Sequence, residues 1–527
     1  MSARRFKAAL VLAGAGLILA PVVSHAQTVL SDYESSDQAQ KARANALWRL
    51  AFRPTQQVLE QTVASLRPGA KLTPEDSAKV DALLANAAKQ SPAEARRSAW
   101  QAVALVLGHP WTPAQEMIGA LTLKTSEPVV SQDQAKLELT ALYPVTPPSG
   151  ARYAVSLTRG ITTSSATPQR GAVMRELAAG SIGGALPQAI AVNFKGVPDG
   201  FYLLTTTITA PDGMRDELAT PFTIIHGLAE RRAAMMAKLS RIKGHEAAKQ
   251  TAEYPFALAK AINAGTREVI SYDFKAALAR SEAIADALAK GKDPVAHATG
   301  LQNRAYRFAE TGELIPYQLF VPLNWTPDRR WPLVVALHGA NLDETNMLGR
   351  AGGRMQQLAE QHGMIVVAPL GYRINSAYGA VPTMGRLFGA DAQRVKRSEA
   401  DVLAVTDSVA AEYHVDPARR YLTGNSMGGG GTWWIGGHYA ERWAAIAPAA
   451  IGGVIGEDVT GLAHMPIMAV VGDRDELGML NRMKADMAML RAKGIEPTYV
   501  EIKGGTHSSA FDTAMPQIFD FFESHRK

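Results

Sequence analysis

The C-terminal part of the chain contains short, almost entirely apolar segments separated by helical patterns. This alternation constrains the fold more than any other feature of the sequence. The apolar segments are WPLVVALHG (331–339), GMIVVAPLG (363–371), WAAIAPAAI (443–451) and PIMAVVGD (466–473), and helical patterns such as SEADVLAVTDSVAAEY (398–413) lie between them. Apolar runs of this length are typical of strands that are buried on both faces. Residues 301–527 are therefore predicted to form a doubly wound, mostly parallel α/β sheet with helices on both faces.

The rest of the 527-residue chain divides into regions of different pattern. Residues 1–26 combine a basic start, an apolar stretch and small residues ending in Ser-His-Ala, which predicts a signal peptide cleaved after Ala26. Residues 27–126 carry helix-start signals such as Ser-Pro-Ala-Glu and are predicted to be a helical N-terminal region. Residues 127–226 carry patterns of short strands with Pro-Asp-Gly turns, which predict a small β-sandwich. Residues 227–300, rich in Ala, Lys, Arg and Glu, are predicted to be a helical connector.

Composition and charge exclude several functional classes. The chain has no cysteine, so disulfides, thiol nucleophiles and cysteine-based metal sites are excluded. Its formal charge of +6 falls to +3 when Arg4, Arg5 and Lys7 leave with the signal peptide, and no basic cluster with interleaved aromatics indicates a nucleic-acid partner. No ligand spacing predicts a metal site, and no cofactor is expected. The mature protein is expected to be secreted or periplasmic and free of the membrane.

The sequence Gly-Asn-Ser-Met-Gly (424–428) places Ser426 between glycines, after the predicted strand RRYLTGN and before a predicted helix. A nucleophilic serine requires such a strained strand-to-helix turn, and the neighbouring glycines avoid clashes with nearby backbone. The turn gives no reason for Gly430 and Gly431, which continue the glycine row. A glycine-rich loop that contains a serine by chance is the alternative.

A serine hydroxyl needs a base, and in this arrangement an acid and then a histidine follow it after later strands. His507 lies in GGTHS directly after the last predicted strand, and it is the predicted base. Asp475, in GDRDE, is the predicted acid that orients His507. Asp473 is the alternative acid, although an aspartate directly after a strand commonly accepts hydrogen bonds from local backbone N–H groups.

Backbone N–H groups are expected to hold the oxyanion that forms on the substrate. The N–H of Met427 is one predicted donor and that of Ala340, in the LHGAN loop, is the other. His338 is interpreted as a residue that braces this loop.

Two further predictions concern the loops around the site. Tyr372 and Tyr378 lie in a long loop (371–398) and are predicted to stack on an aromatic part of the substrate. Asp343 and Glu344 are interpreted as a solvated helix start rather than a metal pair.

The segments LHGAN, GNSMGGGGTW, WAAIAPAA, VGDRDE and GGTHS resemble those of the α/β-hydrolase superfamily. The similarity covers about residues 301–527 and is to the branch that holds secreted feruloyl (cinnamoyl) esterases and polyhydroxybutyrate depolymerases. It implies a Ser-His-Asp triad, with Asp475 as the acid. It also implies that residues 127–226 are similar to the immunoglobulin-like domains that precede some secreted esterases.

Three functional hypotheses follow. The first is a secreted serine hydrolase that cleaves carboxylic esters of feruloyl, aryl or polyester type, with a small-molecule or polymeric ester as its substrate. The second is a peptidase or amidase that uses the same triad. The third is a non-catalytic carbohydrate-binding protein whose β-sandwich carries the function.

Overall fold

The computed structural model describes residues 27–30, 44, 46–87, 89–161, 167–268, 272–380, 389–456 and 458–527. The predicted signal peptide (1–26) and residues 381–388 of the long loop lie outside the described residues. Within these residues, no helix has the length and apolar character needed to cross a bilayer. The first described element is a short strand, β1 (Gln27–Leu30).

Helices follow in the described residues, and four of them form a small core around Trp100 and Val103. They are α1 (Gln56–Leu66), α2 (Pro74–Ala87), α3 (Pro92–Val106) and α4 (Pro113–Ala120). The predicted helix starts are present in this region. Ser91 accepts a hydrogen bond from the backbone N–H of Glu94 and forms a capping box with it, and Pro92 occupies the first turn.

Two sheets come next, and their apolar faces share one core that includes Leu137, Val155 and Phe222. One has the strand order β2-β4-β7 and the other β3-β9-β8-β5-β6. Their bounds are β2 (Leu121–Thr125), β3 (Val129–Val130), β4 (Gln134–Ala141), β5 (Arg152–Ile161), β6 (Gln169–Ser181), β7 (Gln188–Asn193), β8 (Gly200–Thr209) and β9 (Arg215–Ile224). The first of these strands, β2, pairs with β4 and lies before residue 127, where the β-sandwich was predicted to begin.

The connector consists of α5 (Leu228–Leu239), α6 (Glu246–Asn263) and α7 (Phe274–Ala289). Its apolar side chains pack together with Ala305 and Leu314 at the start of the C-terminal region. The buried Arg304 strengthens this junction, since its guanidinium donates to the Val295 carbonyl and to Glu412. The connector thus packs directly on the C-terminal domain.

The C-terminal domain is built on a nine-stranded sheet of order β1-β17-β16-β15-β14-β12-β13-β11-β10. Its further strands are β10 (Gly300–Arg307), β11 (Leu314–Val321), β12 (Trp331–Leu337), β13 (Ile365–Pro369), β14 (Val415–Asn425), β15 (Ala445–Ala449), β16 (Met468–Gly472) and β17 (Thr498–Lys503). β11 pairs antiparallel with β10 and with β13, and the other pairs are parallel. This sheet agrees with the predicted doubly wound fold. β1 was expected in a helical region, but it extends the sheet beside β17.

Helices cover both faces of this sheet. They are α8 (Asn346–His362), α9 (Ala392–Glu412), α10 (Met427–His438), α11 (Met479–Ala492) and α12 (Ser509–Glu523). Alternate residues of β12 serve opposite faces: Val335 joins the core that contains α9, α10 and α11, and Val334 joins the core that contains α8 and α12. Because β12 is buried on both faces, its sequence is continuously apolar.

Candidate active site

Ser426 is the single residue between the end of β14 and the start of α10. Its backbone has φ 58° and ψ −119°, and a positive φ is uncommon for a residue with a side chain. The Ser426 N–H donates to the Ala449 carbonyl at 2.9 Å, which ties the turn to the neighbouring strand β15. The turn therefore holds the serine hydroxyl at the carboxyl edge of the sheet.

Glycines on both sides of Ser426 permit this turn through close backbone approach. A Cβ added at Gly424 would lie 2.3 Å from the Gly428 carbonyl oxygen, and one added at Gly428 would lie 2.1 Å from the Leu337 carbonyl oxygen. Both distances are far shorter than a normal contact, and the atoms approached belong to the backbone. The steric reason given for the glycines in the sequence analysis therefore applies at these two positions.

Ser426, His507 and Asp475 form a continuous chain of side-chain hydrogen bonds. The Ser426 Oγ lies 2.8 Å from the His507 Nε2, and the His507 Nδ1 lies 2.9 Å from the Asp475 Oδ2. The Asp475 side chain has no exposed surface, and that of His507 is 11% exposed. In this geometry, the imidazole is placed to take a proton from the serine while the carboxylate fixes its orientation.

The two candidate acids in the loop after β16 have different hydrogen-bond partners. Asp473 accepts a hydrogen bond from the Gly504 N–H at 2.6 Å and is turned toward that backbone, as the alternative interpretation of this residue expects. Asp475 accepts from the Leu477 N–H with its second oxygen, at 2.9 Å, which fixes the carboxylate toward His507. The geometry therefore favours Asp475 as the partner of the imidazole.

Glu476 is a positioning residue that the sequence analysis did not single out. Its carboxylate accepts the backbone N–H of His507 at 3.0 Å. This bond joins the loop after β16 to the loop after β17, so both ends of the Asp475–His507 pair are held. An acid next to the predicted Asp475 was visible in GDRDE, but nothing local to it indicated a bond to residue 507.

The two predicted oxyanion donors lie beside the nucleophile. Met427 is the first residue of α10, so its N–H belongs to the free N–H groups at a helix N-terminus, where a negative charge is stabilised. Ala340 follows Gly339, at which an added Cβ would lie 3.6 Å from the Ser426 Cβ. The loop that carries Ala340 thus contacts the serine turn, and the donor role of both residues stays a prediction.

The loop that carries Ala340 is held by two side-chain contacts. His338 is fully buried, with its Nε2 2.9 Å from the Leu370 carbonyl and its Nδ1 2.8 Å from the Gly339 carbonyl. Burial lowers the pKa of the His338 imidazole. Asn341 and Asn375 exchange two hydrogen bonds, at 2.8 and 2.9 Å, one from the Asn341 N–H and one from the Asn375 amide. The loop after β13 therefore braces the loop after β12.

Tyr372 and Tyr378 are placed in the interior, not on a substrate surface. The Tyr378 side chain is fully buried against Gly431 and the ring of His338, and Tyr372 is 5% exposed and packs on Phe308. A ring enclosed in this way offers no face to a substrate. This placement does not support their predicted stacking on an aromatic part of the substrate.

The interpretation of Glu344 as part of a solvated helix start is wrong. Glu344 is only 8% exposed, because the helical connector covers it. Among the described residues, the side chains that could together hold a metal ion are His362, Asp520 and Glu523, on α8 and α12 rather than beside the triad.

Comparisons with known proteins agree with the resemblance expected from the sequence. Residues 315–496 match the family described as esterase PHB depolymerase. A bifunctional acetylxylan esterase/xylanase of Neocallimastix patriciarum is 29% identical over 159 residues, which are 30% of this chain and 21% of that protein. The chain therefore spans about a fifth of that relative's length.

Solved structures similar to this chain include two esterases. A ferulic acid esterase from Anaeromyces mucronatus is 18% identical, covers 44% of this chain and 93% of its own length, and has a TM-score of 0.35. A thermostable esterase is 17% identical, covers 77% of this chain and 100% of its own length, and has a TM-score of 0.38. The family match over residues 315–496 confirms the predicted resemblance to the branch of esterases that includes the polyhydroxybutyrate depolymerases.

Proposed function

We propose that the protein is a serine hydrolase of carboxylic esters, and that Ser426, His507 and Asp475 are its catalytic triad. The observation that carries the proposal is the hydrogen-bonded row from the Ser426 Oγ through the imidazole to Asp475, at 2.8 and 2.9 Å, on a turn with positive φ. The match of residues 315–496 to an esterase family supports the same chemistry.

The reaction follows from the positions of these groups. His507 takes the proton of the Ser426 hydroxyl as the oxygen attacks the ester carbonyl, and the N–H groups of Met427 and Ala340 stabilise the oxyanion. His507 then gives the proton to the leaving alkoxide, which produces an acyl-enzyme and a free alcohol. In the second half, His507 activates a water molecule that hydrolyses the acyl-enzyme, while Asp475 stabilises the imidazolium throughout.

We propose the class of substrate but not its exact acyl and alcohol groups. The acetylxylan esterase/xylanase and the ferulic acid esterase among the similar proteins support acyl or aryl esters carried by a small molecule or a polymer. We further propose that residues 1–26 direct export and that the two sheets between residues 121 and 226 form a separate, immunoglobulin-like β-sandwich domain. Neither proposal is needed for the chemistry at Ser426.

The test compares Ser426→Ala with the control Ser181→Ala, whose serine follows Gly180 and ends β6, a strand of a different sheet. Ser426→Ala should lower kcat/KM for p-nitrophenyl acetate and methyl ferulate by at least about 10⁴-fold, because no other group supplies the nucleophile. A fluorophosphonate should label the wild-type protein and Ser181→Ala but not Ser426→Ala. Unchanged turnover in Ser426→Ala would refute the assignment.

A substrate comparison separates the ester proposal from the peptidase hypothesis. The wild-type protein should hydrolyse p-nitrophenyl acetate with a kcat/KM at least 100-fold above that for the matching p-nitroacetanilide. A preference for the anilide would favour the amidase. Absence of both labelling and turnover, together with polysaccharide binding, would favour the non-catalytic hypothesis.

A further inference from the structure

A cleft of about 420 Å³ lies at the amino ends of the central strands, on the edge of the sheet opposite Ser426. Its volume is within the ~300–1,000 Å³ that is typical of small-molecule sites. Because β12 is seven residues long, the cleft lies roughly 20 Å from the serine turn. We refer to it as the arginine cleft, after Arg329, Arg330, Arg419 and Arg526 in its walls.

An irregularity in the pairing of β12 with β14 forms one wall of the arginine cleft. Residues 416–419 of β14 lie opposite the single residue Pro332 of β12, and the pairing resumes after them. A bulge of this kind interrupts the ladder and redirects the side chains that it carries. Asp416 and Arg419 of the bulge line the cleft, and the Arg419 Nη2 donates to the Arg330 carbonyl at 2.9 Å, which joins the bulge to the loop before β12.

Positive charge exceeds negative charge in the walls of the cleft. Among the described residues that line it, Asp416 is the only acid, and four are arginines. The Asp416 Oδ2 accepts from the Arg419 Nε at 2.8 Å and lies 3.4 Å from the Arg526 Nη2, so one carboxylate serves two guanidinium groups. Within the described part of the chain, the guanidinium groups of Arg329 and Arg330 form no hydrogen bond or ion pair. The lining therefore has an excess of three positive charges.

Arg329 is held in place by contacts that leave its N–H groups open. Its guanidinium carbon lies 3.7 Å from the centroid of the Trp331 ring, and this ring is fixed because it is fully buried and its Nε1 donates to the Thr326 carbonyl at 2.9 Å. A Cβ added at Gly363, the C-cap of α8, would lie 3.8 Å from the Arg329 Nη2. Stacking uses the face of the guanidinium, and the helix end stabilises its charge, so its edge stays free to donate.

The histidine of the lining does not change this balance. The His362 Nδ1 lies 2.8 Å from the Glu523 Oε2, and its Nε2 lies 3.8 Å from the Asp520 Oδ1. Neither acid lines the cleft, and both are exposed, where water and salt screen their charge. The walls themselves keep the excess of positive charge.

These charges decide the class of ligand. A cation is disfavoured, and a monocarboxylate offsets only one of the three excess charges. A phosphate monoester carries about −1.5 to −2 charges at pH 7 and three strong acceptor oxygens. Arginine binds such a group through paired N–H donors whose geometry matches the oxygens. Repulsion among the guanidinium groups disfavours the empty cleft, and a phosphate group relieves it.

We propose that the arginine cleft binds the phosphate group of a phosphate monoester. Arg329 and Arg330 donate to the phosphate oxygens, and Arg419 and Arg526 add positive charge from the opposite wall. The proposal goes beyond the proposed function and does not rest on it, because no residue of the lining belongs to the triad or to the oxyanion loop. The phosphate group is carried by a soluble compound or by a lipid headgroup, and the experiments below separate these two sources.

Binding in solution is measured by calorimetric titration of the full-length protein with inorganic phosphate and with glycerol 3-phosphate at constant ionic strength. The double variant Arg329→Gln/Arg330→Gln should weaken the affinity for both compounds at least tenfold. Thermal unfolding without phosphate checks that this variant is folded. If it does not fold, Arg330→Gln alone, at an exposed side chain without a ring contact, should weaken the affinity at least threefold. Arg241→Gln, at an exposed arginine of the connector, is the matched control and should bind phosphate as the wild-type protein does.

Co-sedimentation with vesicles identifies the source of the phosphate group. The vesicles are phosphatidylcholine with or without phosphatidic acid, whose headgroup is a phosphate monoester. Binding in solution without co-sedimentation supports the proposal with a soluble ligand. Co-sedimentation that requires phosphatidic acid, and that the double variant weakens at least tenfold, supports it with a lipid ligand.

Three results would overturn the proposal. The first is the absence of binding both in solution and to phosphatidic acid vesicles. The second is an affinity of the double variant equal to that of wild type and Arg241→Gln. The third is binding of acetate or chloride as tight as that of phosphate, because the cleft would then attract anions only through its general charge.

Discussion

Gly428→Ala tests whether close backbone approach around the serine turn controls catalysis. The added Cβ would lie 2.1 Å from the Leu337 carbonyl oxygen, 2.5 Å from its carbonyl carbon and 2.8 Å from the His338 carbonyl oxygen. All three atoms are backbone, so no side chain can rotate away. Relief requires a relative movement of roughly 1 Å between the start of α10 and the end of β12, since overpacked interiors respond by backbone shifts.

That movement would change the site directly. Leu337 is the last residue of β12 and precedes the loop that carries Ala340, and Met427 begins α10. A shift of this size separates the two predicted oxyanion donors from Ser426. A displacement of 1 Å costs about 100-fold in rate, and overpacking costs about 1–3 kcal/mol of stability. We therefore expect kcat for p-nitrophenyl acetate to fall about 100-fold and the free energy of unfolding to fall by about 1–3 kcal/mol.

The matched control is Gly437→Ala on the same helix. Its added Cβ would meet Leu462 at 3.6 Å, an ordinary contact, and alanine is favoured over glycine in a helix by up to about 1 kcal/mol. Steady-state kinetics and urea unfolding of both variants are the measurements. If Gly428→Ala keeps kcat within threefold of wild type and unfolds at the wild-type urea midpoint, the steric argument is wrong.

The two aspartates after β16 should differ in effect. Asp475→Asn removes the carboxylate that accepts a hydrogen bond from His507 and should lower kcat about 10³–10⁴-fold. Asp473→Asn only weakens the hydrogen bond from the Gly504 N–H, so the free energy of unfolding should fall by about 1 kcal/mol and kcat by less than tenfold. The reverse order of kcat losses would assign the acid to Asp473. Asp401 supplies a pH prediction, because burial raises its pKa to about 6. The folded protein then binds more protons than the unfolded chain between about pH 4 and 6, so this residue makes the free energy of unfolding decrease as pH rises through that window. In urea unfolding at several pH values, Asp401→Asn should show a smaller decrease than wild type, and equal slopes would contradict the assigned burial effect.

The central strands could be predicted from the sequence because a strand that is buried on both faces is a continuous run of apolar residues. WPLVVALHG became β12 and PIMAVVGD became β16, with their boundaries near those expected. The serine, the acid and the histidine could be found for a related reason. Each follows a strand of this kind, and parallel strands bring their carboxyl ends to one edge.

Features that depend on distant partners could not be predicted. Gln27–Leu30 becomes a strand only through pairing with β17, 473 residues further along the chain, and a four-residue segment carries no periodicity that indicates it. Glu344 lies in a local sequence typical of an exposed helix start. Its burial depends on the connector, which covers it with residues such as Tyr254, Arg267 and Tyr272.

Gly431, one of the two glycines that the turn alone did not explain, and the nearby Gly429 are explained by such distant contacts. An added Cβ at Gly429 would lie 2.4 Å from the Ala449 carbonyl oxygen, and one at Gly431 would lie 2.5 Å from the Cβ of Tyr378. The start of α10 is therefore pressed against β15 on one side and against the buried tyrosine on another, as Gly428 presses it against β12. The same contact accounts for the failed expectation at Tyr378, since the missing side chain at Gly431 is what gives this residue its place in the interior. Neither residue indicates the other in the sequence, and their fit is seen only once the loop after β13 packs on the helix that begins at the nucleophile.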